Sequence, residues 1–292
     1  MNTQELRVDN FKQNISLRAS EVDSGFSRLK SALTIFLYYF CTLFVNLILS
    51  IIIVVVVEIC RALGLSIDQE VVEALSMTLT YIVTILCLIP LFIKVIASDI
   101  KKFIKSPIKT ILIVFILYLG FLVINNIYYE VIEPLFVNIA NKLNLISEET
   151  INLKQTSDNQ ASIEKYYAHD VAKWILLPSV VLIGPLTEEI VFRKAIFRIV
   201  NSKKNIVNII IASVTFALIH TVSGILNALL LQLPTNPDLA FEFILLELIY
   251  SIGYLMAGVL LSTCYVLSGQ NLIVVFIIHL LNNLLATLQL IM

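Results

Sequence analysis

The sequence is short of the features that mark secreted, disulfide-bonded or repetitive proteins. Its first 30 residues, through Lys30, are polar and mixed in charge. They lack the succession of basic region, apolar region and small-residue cleavage site that a signal peptide requires, so the first apolar run is expected to stay as an anchor. Cysteine is scarce: Cys41, Cys60, Cys87 and Cys264 all lie inside or at the ends of apolar runs. Such thiols are expected to be reduced packing groups with no disulfide role. No internal repeat or low-complexity tract is visible. The formal net charge is −1, which gives no reason to expect a nucleic-acid partner and leaves the placement of the charges as the informative quantity.

What the sequence has in excess is apolar residues. They make up 59% of the 292 residues, and the mean hydropathy is +0.92, where a soluble domain averages about 45–50% apolar. The excess is gathered into runs of about 20 or more residues, the length that crosses a hydrocarbon core. A soluble protein would have nothing to hide so much continuous apolar surface against. The runs predict an all-α, polytopic transmembrane helix bundle of about seven to eight spans. They lie near Ala32–Cys60, Val71–Ala97, Ile111–Ile127, Val171–Arg198, Asn205–Leu233, Leu239–Leu267 and Leu272–Met292, and the fifth is open to a break at Ser223-Gly224.

Basic residues set the expected orientation. Arg7, Lys12, Arg18, Arg28 and Lys30 precede the first run. Lys94, Lys101, Lys102, Lys105 and Lys109 separate the second from the third, and Arg193, Lys194, Arg198, Lys203 and Lys204 the fourth from the fifth. The alternate connections are poor in Lys and Arg, which puts the N-terminus in the cytoplasm and the C-terminus outside. The expected organisation is a cytoplasmic segment (1–30), accessory N-terminal spans (31–128), an outside loop with one interfacial helix (129–170) and a catalytic transmembrane core (171–292). His169, in that loop, has no partner at metal-ligand spacing.

Ionisable residues inside apolar helices are costly and usually face protein or a water-filled cavity. Here they cluster in the C-terminal half: Glu188, Glu189 and Arg193, then His220, then His279 with Asn283. Pro185 removes a backbone donor just before the carboxylates and is expected to kink the helix. Adjacent residues point about 100° apart, so the two glutamates cannot face one cavity equally. Glu189 and Arg193, at i and i+4, can pair, which leaves Glu188 for the cavity. Standing alone, the motif would read as a membrane-edge acid pair balanced by Arg193, Lys194 and Arg198. A hairpin folded about Lys204, however, brings His220 level with Glu188, and His279 and Asn283 project from one face of the last span at similar depth. Such a set suits either of two tasks. It can hold a metal with an open position for water. Or Glu188 and His220 can activate water directly while His279 and Asn283 donate to an oxyanion.

Three stretches carry a resemblance: Glu188-Glu189-x-x-x-Arg193, Phe216-x-x-x-His220 and His279-x-x-x-Asn283. In order, they resemble the three motifs of the CAAX-protease and bacteriocin-processing (CPBP, Abi) family of intramembrane proteases, over roughly Val171 to Leu285. The sixth span, with small residues at Gly253/Ala257 and Gly258/Ser262, is similar to the family's close-packed helix. The resemblance implies an intramembrane endopeptidase in a bacterial cell membrane, cutting a peptide precursor or a membrane-anchored protein near the cytoplasmic face. Glu188 and His220 would activate water, His279 and Asn283 would stabilise the oxyanion or help hold a metal, and Glu189 and Arg193 would organise the helix end. No cofactor is required by this reading; zinc on Glu188, His220 and His279 belongs to its metalloprotease form. Two other readings stand beside it: a non-proteolytic adaptor or bacteriocin-immunity protein on the same fold, and a transporter relaying protons through Glu188, His220 and Glu247. Glu247, midway along the sixth span, has no evident basic partner and is either protonated or part of the same cavity.

Overall fold

A computed structural model describes residues 28–66 and 68–291. Most of the 1–30 segment, with Arg7, Lys12 and Arg18, lies outside the described residues. Seven helices among the described residues are long and apolar enough to span a bilayer. They are α1 (Arg28–Ala62), α2 (Gln69–Lys105), α3 (Pro107–Lys142), α6 (Ala172–Val200), α7 (Asn205–Gln232), α8 (Pro237–Leu267) and α9 (Leu272–Ile291). Two short helices, α4 (Glu148–Leu153) and α5 (Asp158–Tyr167), lie between α3 and α6. No strand occurs among the described residues. The protein is an all-α, integral membrane helix bundle.

Two expectations about continuity change. The amphipathic stretch from Tyr129 is not a separate interfacial helix, because α3 runs through it to Lys142. A wide, π-type turn at Tyr128–Ile132 stands just before Pro134, which has no backbone N–H to offer. The fifth span is also unbroken at Ser223-Gly224, and its irregularity is a wide turn further on, at Ala228–Gln232, again just before a proline, Pro234. Helices of 31–37 residues, such as α2, α3 and α8, exceed the roughly 20 that a bilayer needs. Their ends therefore project past the hydrocarbon layer.

Burial ranks the helices. In the most apolar window of α6, 56% of residues are buried inside the protein, against 11% in α1 and α3. Helix α6 is therefore the central element, and α1 and α3 turn most of their surface to lipid. The main core packs Tyr38 of α1, Phe92 of α2, Phe121 of α3, Phe192 of α6, Phe216 of α7 and Ile278 of α9 into one cluster. The hairpin between α6 and α7 closes at Asn201, whose φ of +44° ends α6 in the left-handed region. The Asn208 amide brackets it from α7, accepting from Ser202 N–H at 3.0 Å and donating to Ser202 C=O at 3.1 Å.

Helices α7 and α8 are the most closely packed pair, and two glycines set their spacing. A Cβ at Gly258 would stand 2.9 Å from the Cα of Ser213, and one at Gly224 would collide with the carboxyl group of Glu247. Close backbone approach through small residues is how membrane helices gain packing without a hydrophobic driving force. Gly258→Val is expected to lower stability by about 1–3 kcal/mol, the usual cost of overpacking, read as a fall in Tm in detergent. Gly120→Ala, where nothing lies within 4 Å of the new methyl, leaves Tm at or above the parent value.

Candidate active site

The site begins with a local conflict in α6. The sequence Gly184-Pro185 interrupts the hydrogen-bond ladder one turn before the glutamates. The chain answers with a wide turn at Ser179–Ile183, in which Gly184 N–H bonds to Ser179 C=O. The next carbonyl, that of Val180, would then meet the N–H of residue 185, which proline lacks. Asn283 of α9 fills the place, its Nδ2 donating to Val180 C=O at 2.9 Å. Gly184 is small for a reason as well, since a Cβ there would lie 2.9 Å from Ser179 O and 3.3 Å from the Tyr81 ring. A second wide turn, Ile190–Ala195, follows the glutamates directly. Such turns recur at functional sites, where they re-aim side chains within an otherwise regular helix.

Between the two wide turns, Glu188 and Glu189 both point into protein, at 7% and 0% exposure. Their angular separation is resolved by one imidazole. His279 of α9 enters the angle between them, its Nδ1 2.8 Å from Glu189 Oε1 and its Nε2 3.8 Å from Glu188 Oε2. The bond to a carboxylate fixes Nδ1 as a donor and aims Nε2 at Glu188. The other oxygen of Glu189 pairs with Arg193 Nε at 3.1 Å, the i, i+4 contact the spacing predicts. The guanidinium is fully buried and lies over the Phe216 ring, 5.0 Å from its centroid. Arg193, Glu189 and His279 thus form one buried chain of contacts joining α6 to α9.

His220 stands apart from that chain. Among the described residues no hydrogen bond or ion pair joins it to Glu188. Phe216 lies between, its ring centroid 4.6 Å from that of His220 and 6.1 Å from that of His279. The His220 Nδ1 is 2.8 Å from the Phe216 carbonyl, one turn back. A carbonyl accepts only, so Nδ1 is the donor in this bond and Nε2 takes no part in it. The ring also stacks on Tyr254 of α8, 4.6 Å away and inclined by 19°.

Among the described residues, no group of three His, Cys, Asp or Glu side chains converges as a metal site would. The Nδ1 of His279 is engaged with Glu189, and Phe216 separates the two imidazoles. Zinc would need ligand atoms about 2.0–2.2 Å from a common point. The set Glu188, His220 and His279 is not assembled for it in this arrangement, and the chemistry below is derived from the side chains alone.

Two charged clamps close the ends of the bundle, and sequence reasoning found neither. At the end rich in Lys and Arg, Asp99 of α2 lies 2.9 Å from Lys194 Nζ and accepts from Leu272 N–H at 3.0 Å. Lys194 also donates to Gln270 C=O at 2.9 Å. This clamp ties α2 and α6 to the first turn of α9, two turns from His279. At the opposite end, Glu247 of α8 has a cation after all: Lys154 Nζ is 2.9 Å from its carboxylate. Lys154 also pairs with Asp158, whose Oδ2 accepts from Asn227 at 2.9 Å. Burial alone would raise the Asp158 carboxyl's pKa, but Lys154 and the Asn227 amide hold it below the usual value. His169 is structural here, its Nδ1 accepting from the N–H groups of Val171 and Ala172 at the start of α6.

In a comparison with family models, residues 170–285 fit the family described as type II CAAX prenyl endopeptidase Rce1-like. Over these residues, which are less than half of the chain, the sequence is similar to the Rce1-like type of the CPBP family. The Rce1-like region takes in α6 to most of α9, and so every residue of the Arg193–Glu189–His279 chain, His220, Tyr254 and Asn283. It leaves out α1 to α5, with Asp99, Lys154 and Asp158. At the level of the family, the match supports CAAX-type intramembrane peptidase chemistry. Comparison with curated proteins and with solved structures returned no match.

Because Arg193 is wholly buried, the neutral variant Glu189→Gln leaves an uncompensated charge in the core. It is expected to cost about 3–5 kcal/mol, seen as a large fall in Tm of the purified protein. Removing that charge as well, in Glu189→Gln/Arg193→Met, recovers part of the loss.

Proposed function

We propose that the chain is an intramembrane endopeptidase that hydrolyses a peptide bond of a peptide precursor or a membrane-tethered protein. The observation that carries this reading is the setting of Glu188. It is a buried carboxylate facing the Nε2 of an imidazole whose other nitrogen is locked by Glu189 and Arg193. His220 adds a second imidazole, its Nδ1 held by the Phe216 carbonyl and its Nε2 outside that bond.

In the proposed reaction Glu188 and His220 draw the proton from a water molecule, which attacks the scissile carbonyl carbon. The carbonyl oxygen becomes an oxyanion. It is met by His279 through Nε2 and by the amide of Asn283, one of whose N–H groups is left over from the bond to Val180. Collapse of the tetrahedral species breaks the C–N bond, and the proton taken from water passes to the leaving amine. Arg193 and Glu189 hold the His279 ring so that the donor is in place before charge develops.

The substrate is a peptide or membrane-anchored protein delivered within the lipid bilayer, and the prenylated CaaX terminus is the class that the family description points to. The site lies toward the end rich in Lys and Arg, with Glu188 six residues from Lys194, or about 9 Å along the helix. By the positive-inside rule that end faces the cytoplasm of a bacterial cell membrane, together with the N-terminus. Residues 31–128 act as accessory spans and 129–170 as an outer segment.

The test is processing in whole cells and in nanodiscs. Cells expressing the chain are expected to yield new peptide termini by mass spectrometry, and the purified protein to cleave a quenched farnesylated CaaX peptide. Glu188→Gln and His220→Ala, present at parental membrane levels, are expected to cut the rate by about 10²–10⁴-fold, the range supplied by general acid–base groups. Undiminished processing in both variants overturns the reading and selects a non-proteolytic adaptor instead.

A further inference from the structure

We propose that Tyr254 is a positioning residue for His220 and that the outer segment before α6, which lies outside the Rce1-like region, holds Tyr254 in place. The inference rests on the peptidase reading, in which His220 handles the water proton.

A histidine with one fixed bond can still turn about that bond, so a second restraint is needed to aim Nε2. Here the restraint is aromatic. Phe216 lies against the His220 ring at 4.6 Å, tilted by 42°, and Tyr254 stacks on it at 4.6 Å, nearly parallel at 19°. Rotation of the imidazole would drive it into one ring or the other. Phe216 is itself fixed by Phe192 and Arg193. Tyr254 sits on α8 and is half-buried, so its hydroxyl needs its own anchor.

That anchor comes from the outer segment. The Tyr254 hydroxyl lies 2.9 Å from Ser157 Oγ and accepts from Asn159 Nδ2 at 3.0 Å. Ser157 is also the N-cap of α5, its Oγ accepting from Gln160 N–H at 3.2 Å. The turn that carries both residues is pinned to the bundle on either side. Lys154 pairs with Glu247, Asp158 N–H donates to Glu247 Oε2 at 3.2 Å, and Tyr250 O–H donates to Lys154 C=O at 2.8 Å. Gly224 makes room for the Glu247 carboxylate beside α7. The charged groups acting on Tyr254 are Glu188 and Glu247, with Lys154 behind the second and Arg193 across Phe216 from His220. The clamp on the outer segment therefore ends, through one tyrosine, at the plane of a site imidazole.

The experiment uses the full chain in nanodiscs and the quenched farnesylated CaaX peptide. Misplacing a reacting group by about 1 Å can cost up to 10²-fold. Tyr254→Leu is accordingly expected to lower kcat about tenfold or more while KM stays within about twofold, and to move the acid limb of the kcat–pH profile. Tyr254→Phe keeps the stack and loses the hydroxyl anchor, so it falls between, and Ser157→Ala/Asn159→Ala reproduces it. In a His220→Ala background, adding Tyr254→Leu is expected to cost nothing further, because the tyrosine acts through the histidine. A parental kcat and acid limb in Tyr254→Leu, or the same fold-loss with and without His220, overturns the proposal. If Tyr254→Leu does not fold, Ser157→Ala/Asn159→Ala with and without His220 decides by the same two criteria. Glu188→Gln runs beside them: cleavage that survives it removes the peptidase reading, whereas its abolition with an indifferent Tyr254 removes only the role of the tyrosine.

Discussion

The structure depends on the carboxylate of Glu189. It is fully buried, and it meets Arg193 with one oxygen and His279 with the other. An isolated carboxylate or guanidinium at such depth is prohibitively costly, and the two are tolerable only together. Their pairing fixes the last turns of α6 around Phe216, and the second oxygen then decides where α9 docks. Everything nearer the chemistry inherits that placement. The Nε2 of His279 faces Glu188 because Glu189 holds the Nδ1, and Asn283, one turn on, reaches Val180 because His279 has set the rotation of α9. The carbonyl that Asn283 caps is the one Pro185 leaves without a donor. One helix thus stores its irregularity where a second helix is required to complete it.

Much of this was legible in the sequence, for identifiable reasons. The seven spans follow from hydrophobic runs of bilayer length, which local composition alone determines. The Glu189–Arg193 pair follows from helical spacing. The shared face of His279 and Asn283 was legible in the same way, and their bonds to Glu189 and Val180 show that this face packs on α6. What could not be read was rotation between helices. A hairpin argument can level Glu188 with His220 but cannot say which way each ring turns. The two wide turns flanking Gly184–Glu189 alter that rotation from within. In the event Phe216, the first residue of its own motif, stands between His220 and His279.

The misreadings share one cause. Glu247 looked unpartnered because Lys154 is brought to it by the outer segment, 93 positions earlier in the chain (247 − 154). Gly224 looked like a helix break because glycine in sequence says only that a side chain is missing. Here it is missing to admit the carboxylate of Glu247. Lys194 was read as positive-inside charge, yet it is buried and paired with Asp99 of α2. Each of these is a long-range contact between an acid and a base, and no window on the sequence contains both partners.

Taken together, the buried charges single out one residue. Among the described residues the buried acids are Asp99, Glu188, Glu189 and Glu247, and the buried Lys and Arg are Lys154, Arg193 and Lys194. Asp99 takes Lys194, Glu247 takes Lys154 and Glu189 takes Arg193. Three permanent cations are thereby assigned, and Glu188 is left without one. Its neighbour is His279 at 3.8 Å, beyond a direct hydrogen bond. A carboxylate held by a fixed cation is a poor base, since the cation lowers its affinity for protons. Glu188 is the buried acid that no direct ion pair with Lys or Arg engages, and the proposed reaction gives the base's role to it.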